Sequence, residues 1–217
     1  KIDKEKFDNV VSSHLEPALL NDAAEVLSGL SGVEIRKNVN WERGEIDLLA
    51  YHEASNSAFQ LQAKAGVPPE GARMVAQVES RTLEAANQIE RFLDLSDDEK
   101  DAICSKSIGR KLSGITWCSG IMVRTCLGTE KAWISIADYL PLNPILLRGA
   151  IKRLPEGSEF SFMRLEEIVK EELERLRSTA VLGWENKNFT LFGETIQLPL
   201  LNLDYRAISN FRDDAMS

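Results

Sequence analysis

Histidine and cysteine are scarce in this sequence, and their scarcity removes whole classes of chemistry. Among 217 residues there are two His, His14 and His52, and three Cys, Cys104, Cys118 and Cys126. Two imidazoles and cysteines without metal-ligand spacing leave no ready zinc site and no material for a histidine-based triad. An odd cysteine count suits a reducing compartment, so a cytoplasmic location is expected. Positive charge is short as well: 26 Lys and Arg against 34 Asp and Glu give a net charge of −8. That balance argues against a protein that coats nucleic acid by bulk electrostatics, although a local basic strip beside an acidic metal site stays compatible with it. No apolar run is long enough to span a bilayer, and no signal peptide, internal repeat or low-complexity segment is present. The chain opens on Lys1 instead of Met, as expected of a piece of a longer chain from which a targeting signal could have been removed.

What is present is an ordinary globular composition, 43% apolar and 28% charged, enough for one good core with a small appendage. Helical spacing of Phe7, Val10 and Val11 predicts a helix over 3–14. Pro17 suits the first turn of a second helix to about Leu30, striped by Leu19, Leu20, Ala23, Val26, Leu27 and Leu30 and ended by Gly29 and Gly32. Strands are expected at 33–39, 45–51 and 58–64, then helices at 75–93 and 97–106. Two β-rich stretches follow, 114–126 and 131–137, and a helix after Pro144 closes the unit near Leu154. This order predicts an α/β (α+β) sandwich with a mixed sheet, residues 1–155. Residues 156–217 read as an appendage packed on that core, with a charged helix over 162–177 and two strands over 184–203. Opposite charges three and four apart mark that helix as a solvated face, and its apolar stripe is too short for a coiled coil.

The most informative stretch is Gly44-Glu45-Ile46-Asp47-Leu48-Leu49-Ala50 followed by Phe59-Gln60-Leu61-Gln62-Ala63-Lys64. It reads as a β-hairpin with a carboxylate on one strand and Gln-x-Lys on the next. Asp47 interrupts an apolar run, and a lone charge in a buried strand is costly unless it is paired or bound to metal. Lys64 interrupts the next strand where it emerges. On one side of the sheet, Asp47, Gln62 and Lys64 would bring together a carboxylate, an amide oxygen and an ammonium. Such a trio can hold a divalent cation and activate a water beside a phosphodiester. Strand-end charges are also common as plain surface residues.

With elements in this order, Gly44-Glu45-Ile46-Asp47 plus Gln62-Ala63-Lys64 resembles the PD-(D/E)XK, or restriction-endonuclease-like, nuclease superfamily. The nearest branches are the nuclease-related-domain and Mrr-type ones, in which a Gln replaces the acidic residue before x-Lys. The resemblance covers roughly residues 7–155 and extends to Gln88, since several branches place a Gln on the helix after the lysine strand. It implies a metal-dependent endonuclease, acting foremost on DNA in bacterial defence, restriction or repair. It implies Mg²⁺ or Mn²⁺ held by Asp47, the Gln62 side-chain oxygen and the Ala63 carbonyl, with Lys64 orienting the attacking water. Glu45 is a further ligand candidate. The family's first-helix glutamate falls on Glu16, on Glu25, or on neither. Gln88 is either a phosphate or water contact or an exposed helix position. Arg73, Arg81, Arg110, Lys111 and Arg124 are basic candidates for a backbone track. Cutting both strands would need a homodimer or a partner subunit. Two other readings stay open: an inactive nuclease-fold module that binds nucleic acid, favoured by Gln62 and the acidic charge, and a protein-interaction domain using the 162–177 helix.

Overall fold

The computed structural model describes residues 11–65, 72–124, 130–154, 159–191 and 194–216. Most of the helix expected over 3–14 lies outside the described residues; its end is a π-helical turn, Val11–Leu15. That turn runs directly into helix α1, Glu16–Ser28. Pro17 has no N–H to give, so the hydrogen-bond ladder changes period at this junction. α1 buries Leu19, Leu20, Ala23, Ala24 and Leu27; of the stripe expected from the sequence, Val26 and Leu30 are only half-buried. The chain then turns through Gly32, at φ 76, into strand β1.

Strands β1 (Val33–Trp41), β2 (Gly44–His52) and β3 (Ser57–Lys64) form an antiparallel meander. Helices α2 (Ala72–Leu93) and α3 (Asp97–Ile108) then cross to strand β4 (Thr116–Val123), which lies parallel to β3. α3 starts on a capping box between Ser96 and Glu99 and stops at left-handed Gly109, as helix termini of this composition do. The stretch 131–137, expected as a strand, is instead helix over 131–135, within α4 (Glu130–Ser135), and turn beyond it. Ala132 and Ile136 are buried while Ile134 is 70% exposed, which is burial at helical spacing and not alternation. The next strand, β5, comes later at Leu140–Leu142 and pairs parallel to β4. Helix α5, Pro144–Lys152, follows with Asn143 capping its start.

The five strands stand in the order β1-β2-β3-β4-β5, so the sheet is mixed and β1 is an edge. One face carries α1, α5 and the following helix α6, Phe162–Ala180, over Leu48, Ala50, Phe59, Leu61 and Met122. The other face carries α2, α3 and α4 over Leu49, Tyr51, Ala58, Ile121 and Val123. The chain is therefore a mixed α/β sandwich of helix, sheet and helix layers. α6, expected to begin an appendage, buries Phe162, Leu165, Ile168 and Val169 in the main core. Its start is tied to the sheet by the Phe162 N–H donating to Ser57 Oγ at 3.1 Å. An antiparallel pair follows, β6 (Val181–Leu191) and β7 (Glu194–Leu203). Helix α7, Tyr205–Met216, was not expected. Asp204 caps it, accepting from the N–H groups of Arg206 and Ala207, a start signal legible in the sequence.

Candidate active site where two strands part

β2 and β3 pair from His52–Ser57 to Leu48–Leu61, and there the pairing ends. β3 stays paired with β4 as far as Lys64–Val123, so β2 is the strand that turns away. Side chains fill the gap. Asp47 Oδ2 accepts the Ala63 N–H at 2.8 Å, and Gln62 Nε2 donates to the Glu45 carbonyl at 2.8 Å. Only the nitrogen of an amide can donate to a carbonyl, which fixes the orientation of Gln62. Its Oε1 is buried with no hydrogen-bond partner among the described residues. A buried acceptor left in that state costs about 1–3 kcal/mol.

The cause of the parting lies on the other side of β2. β1 and β2 pair on both sides of Asn38 and Asp47 in one unbroken register, but those two residues are skipped. Asn38 has φ 54, in the left-handed region. The alternation slips there too: Ile46 packs in the cluster of Leu49 and Tyr51, while Leu48 and Ala50 belong to the opposite face. β2 therefore rolls about Asp47. The roll lets the carboxylate drop into the sheet between β2 and β3 instead of standing on one face.

Around this gap the elements deliver further charged groups. Glu16, from the π-to-α junction, meets the Ala65 N–H and the Lys64 and Arg81 charges. Burial is the largest effect on it and raises its carboxyl; Lys64, Arg81 and the Ala65 N–H oppose that rise. Arg81, from α2, donates to the Ala65 carbonyl at 2.8 Å and stands 4.0 Å from Glu16. Lys64 Nζ stands 4.0 Å from Glu84 Oε1, with 13% of its side chain exposed. Gln88, one turn beyond Glu84 on α2, has its Oε1 buried and without a partner among the described residues. Burial pushes the Asp47 carboxyl up to about 6, against the Ala63 N–H and Lys64, while Glu45 and Glu16 add to the rise.

Asp47, Gln62, Ala63, Lys64, Glu45 and Glu16, all named from the sequence, thus meet at one end of the sheet; Gln88, also named, sits on α2 one turn beyond Glu84. Glu25 does not: it is exposed on α1, so Glu16 is the glutamate that reaches the gap. Of the basic candidates, Arg81 joins the site. Arg110 does not, being occupied by Glu34 at 2.6 Å, Glu53 at 3.3 Å and the Tyr51 ring, toward the opposite end of β2. Lys111 and Arg124 are exposed, and the Arg73 side chain lies outside the described residues. Sequence reasoning missed Asn38 altogether and did not single out Glu84 for Lys64. The spacing of Arg81, Glu84 and Gln88, at three and four, could have shown them as one helix face; nothing in the sequence marks Asn38 as left-handed.

Among the described residues no three His, Cys, Asp or Glu side chains converge as a metal cluster. The groups that could hold a cation here are two carboxylates, Glu16 and Asp47, with the Gln62 Oε1 that has no protein partner and the Ala63 carbonyl. Within a strand, a residue's C=O points to the same side as its N–H, so that carbonyl faces the gap with the N–H given to Asp47. All are oxygen donors, a set that suits Mg²⁺ or Mn²⁺ and not zinc. Comparison with models of known families, with curated proteins and with solved structures gives no match.

Proposed function

We propose that this chain is a metal-dependent nuclease domain of restriction-endonuclease-like fold that hydrolyses phosphodiester bonds of nucleic acid, DNA foremost. One observation carries this reading: at the gap between β2 and β3 a desolvated carboxylate, an unpartnered buried amide oxygen and a lysine are held together. Nothing structural requires that grouping. Asp47 would be much better solvated on the surface, and Gln62 leaves an oxygen without compensation. Groups kept in such unfavourable surroundings are the mark of a functional site.

Glu16, Asp47, Gln62 Oε1 and the Ala63 carbonyl would hold Mg²⁺ or Mn²⁺, with Glu45 alongside. When bound, such an ion polarises a phosphate oxygen and makes a water more acidic. The protein's own contributions are distinct. Asp47, held by the Ala63 N–H, is a fixed anion above about pH 6. Lys64 is a compact positive charge beside it, suited to orienting the attacking water and to offsetting charge that builds on the phosphoryl oxygens. Glu84 steadies Lys64, and Arg81 anchors the end of β3 through the Ala65 carbonyl while facing Glu16. Gln88 offers an amide to a phosphate or a water from the α2 side.

Cleavage of supercoiled plasmid by wild type and Lys64→Ala, with Mg²⁺, Mn²⁺ or EDTA, tests the reading. Nicking that requires metal and disappears in the variant is the expected result; full activity of Lys64→Ala would sink the assignment. The net charge of −8 and the Gln in place of an acidic residue favour a second reading, an inactive module that binds nucleic acid. Oligonucleotide binding with no cleavage under any of these conditions would select it.

A further inference from the structure

Two arginines are gathered where the β1–β2 hairpin turns. Arg43, in the turn, lies over the Trp41 ring at 5.8 Å from its centroid, and Trp41 meets Phe92 of α2 edge to face at 6.1 Å. Arg91, next to Phe92 on α2, donates from Nη1 to the Arg43 carbonyl at 3.4 Å and from Nε to the Asn87 carbonyl at 3.2 Å. Trp41, Phe92, Arg91 and the Arg43 backbone thus close one ring of contacts, and both arginines are exposed. Among the described residues no carboxylate stands within 4 Å of either, whereas Arg36 pairs with Glu34 and Arg81 with Glu16. The acidic neighbours are engaged elsewhere. Glu99 is held low first by the Ser96 hydroxyl and N–H, each bonded at 2.8 Å, and least by Arg43. Glu90 and Asp94, the carboxylates nearest Arg91 along α2, act on Tyr139. Glu42 is exposed beside Arg43 in the turn. Neutral partners therefore fix both arginines in place and leave guanidinium N–H groups open to an anion of phosphate geometry.

This hairpin tip adjoins the candidate active site by two routes. Along the chain, Arg43 precedes Glu45 by two residues, about 7 Å of backbone at most, and the Glu45 carbonyl takes the Gln62 amide at 2.8 Å. Along α2, Arg91 lies seven residues beyond Glu84, the partner of Lys64. Seven residues are nearly two turns, so Glu84, Gln88 and Arg91 share one helix face over a rise of about 10 Å. A nucleic-acid strand in a duplex advances about 3.4 Å per phosphate along its axis, so a phosphate on Arg91 is within about three steps of one at Lys64.

We propose that Arg43 and Arg91 hold backbone phosphates of the nucleic-acid strand on the β1–β2 side of the phosphodiester being cut. The proposal rests on the nuclease reading, and it is tested by binding, without cleavage. The full chain is titrated into a fluorescein-labelled DNA oligonucleotide in EDTA, with anisotropy read from about 50 to 200 mM salt. Wild type is compared with Arg43→Gln/Arg91→Gln and with Lys152→Gln/Arg212→Gln, which removes the same charge from exposed positions on α5 and α7. Each lost phosphate contact lowers the log–log salt slope by about 0.7–0.9. The arginine variant is expected to lose about 1.4–1.8 in slope and about tenfold or more in affinity at low salt, equally on oligonucleotides of unrelated sequence, while the α5/α7 variant keeps both. The unfolding midpoint reports whether the fold survives; if it drops, Arg91→Gln alone is read, with an expected loss of about 0.7–0.9 in slope. Unchanged affinity and slope in the arginine variant, an equal loss in the α5/α7 variant, or no binding by wild type overturns the site. Equal competition by poly-glutamate of matched charge overturns it as a nucleic-acid site. Loss of binding in the arginine variant together with a wild type that never cleaves plasmid keeps the phosphate site and removes the hydrolytic reading instead.

Discussion

Replacing Asp47 by Asn is expected to make the protein inactive and more stable. Burial moves the Asp47 carboxyl from 3.8 to about 6. At about 1.36 kcal/mol per unit, a rise of about 2 corresponds to about 3 kcal/mol of stability lost once the group is ionised in both states. The sign follows from proton counts. Below 3.8 both folded and unfolded chains hold the proton, and Asp47 exacts no penalty. Between 3.8 and about 6 the folded chain keeps a proton that the unfolded chain has released, so stability falls as pH rises. Above about 6 the full penalty is present. Asn carries no charge at any pH, and its Oδ1 can still accept the Ala63 N–H that Asp47 accepts at 2.8 Å.

The variant should therefore exceed wild type by up to about 3 kcal/mol at pH 7.5, or about 6–12 °C in Tm for a chain of this size. The gap should close near pH 4. Thermal unfolding followed by circular dichroism in EDTA at both pH values reads it directly. Millimolar Mg²⁺ should narrow the gap at pH 7.5 by stabilising wild type alone, through mass action on the folded state. A variant no more stable than wild type at pH 7.5, or a gap of equal size at pH 4, refutes the view of Asp47 as a desolvated anion.

Three further outcomes are expected. Asn38→Gly, which tolerates φ 54, should keep cleavage and stability, whereas Asn38→Val should lose about 1–2 kcal/mol for its left-handed backbone and most of its activity; equal behaviour of the two in plasmid cleavage and thermal unfolding would refute a positioning role. His52, whose Nδ1 faces Ser55 Oγ at 2.8 Å and accepts the Ser55 N–H, is held below its usual 6.5 chiefly by burial. Its contribution is complete above pH 6.5 and lost as pH falls below it, so in an Asp47→Asn/Glu16→Gln background, free of the opposite slopes of the two raised carboxyls, Tm should drop between pH 7 and pH 5; a flat profile contradicts this. At Gly120 an added Cβ would meet the Phe59 ring at 2.8 Å and the Leu140 carbonyl at 3.2 Å. Phe59 is fully buried and stacked on Phe162, so Gly120→Ala should destabilise by about 1–3 kcal/mol, and an unchanged urea midpoint would show that the ring can yield.

The hairpin and its polar interruptions were legible because strand burial has a short, strict period, and a charge or amide that violates it stands out. Lys131–Ala137 was not legible. Its small and β-branched residues fit either period, and only the exposure of Ile134 between buried Ala132 and Ile136 decides for helix. Glu16 and Glu25 could not be separated either, since both sit on α1 and the difference is whether the side chain meets Ala65, Lys64 and Arg81 or water. Asn38 left no trace, because asparagine adopts left-handed and extended backbone alike and the sequence does not record which.

These failures and successes share a location. Toward the His52 end of the β1–β2–β3 meander, side chains alternate between faces, the ladders are complete, and polar groups such as His52, Ser55 and Ser57 satisfy one another. At the other end a left-handed asparagine, a desolvated aspartate and a glutamine with an unpaired oxygen stand on three successive strands. Each is unfavourable alone. Here they depend on one another: the Asn38 backbone rolls β2, the roll lowers Asp47 into the sheet, and the widened gap draws the Gln62 amide to Glu45. Left-handed Asn56 and the unpaired Gln60 Oε1 depart from local rules elsewhere in the meander, but at this end three departures depend on one another, which is the arrangement the proposed cation site would require.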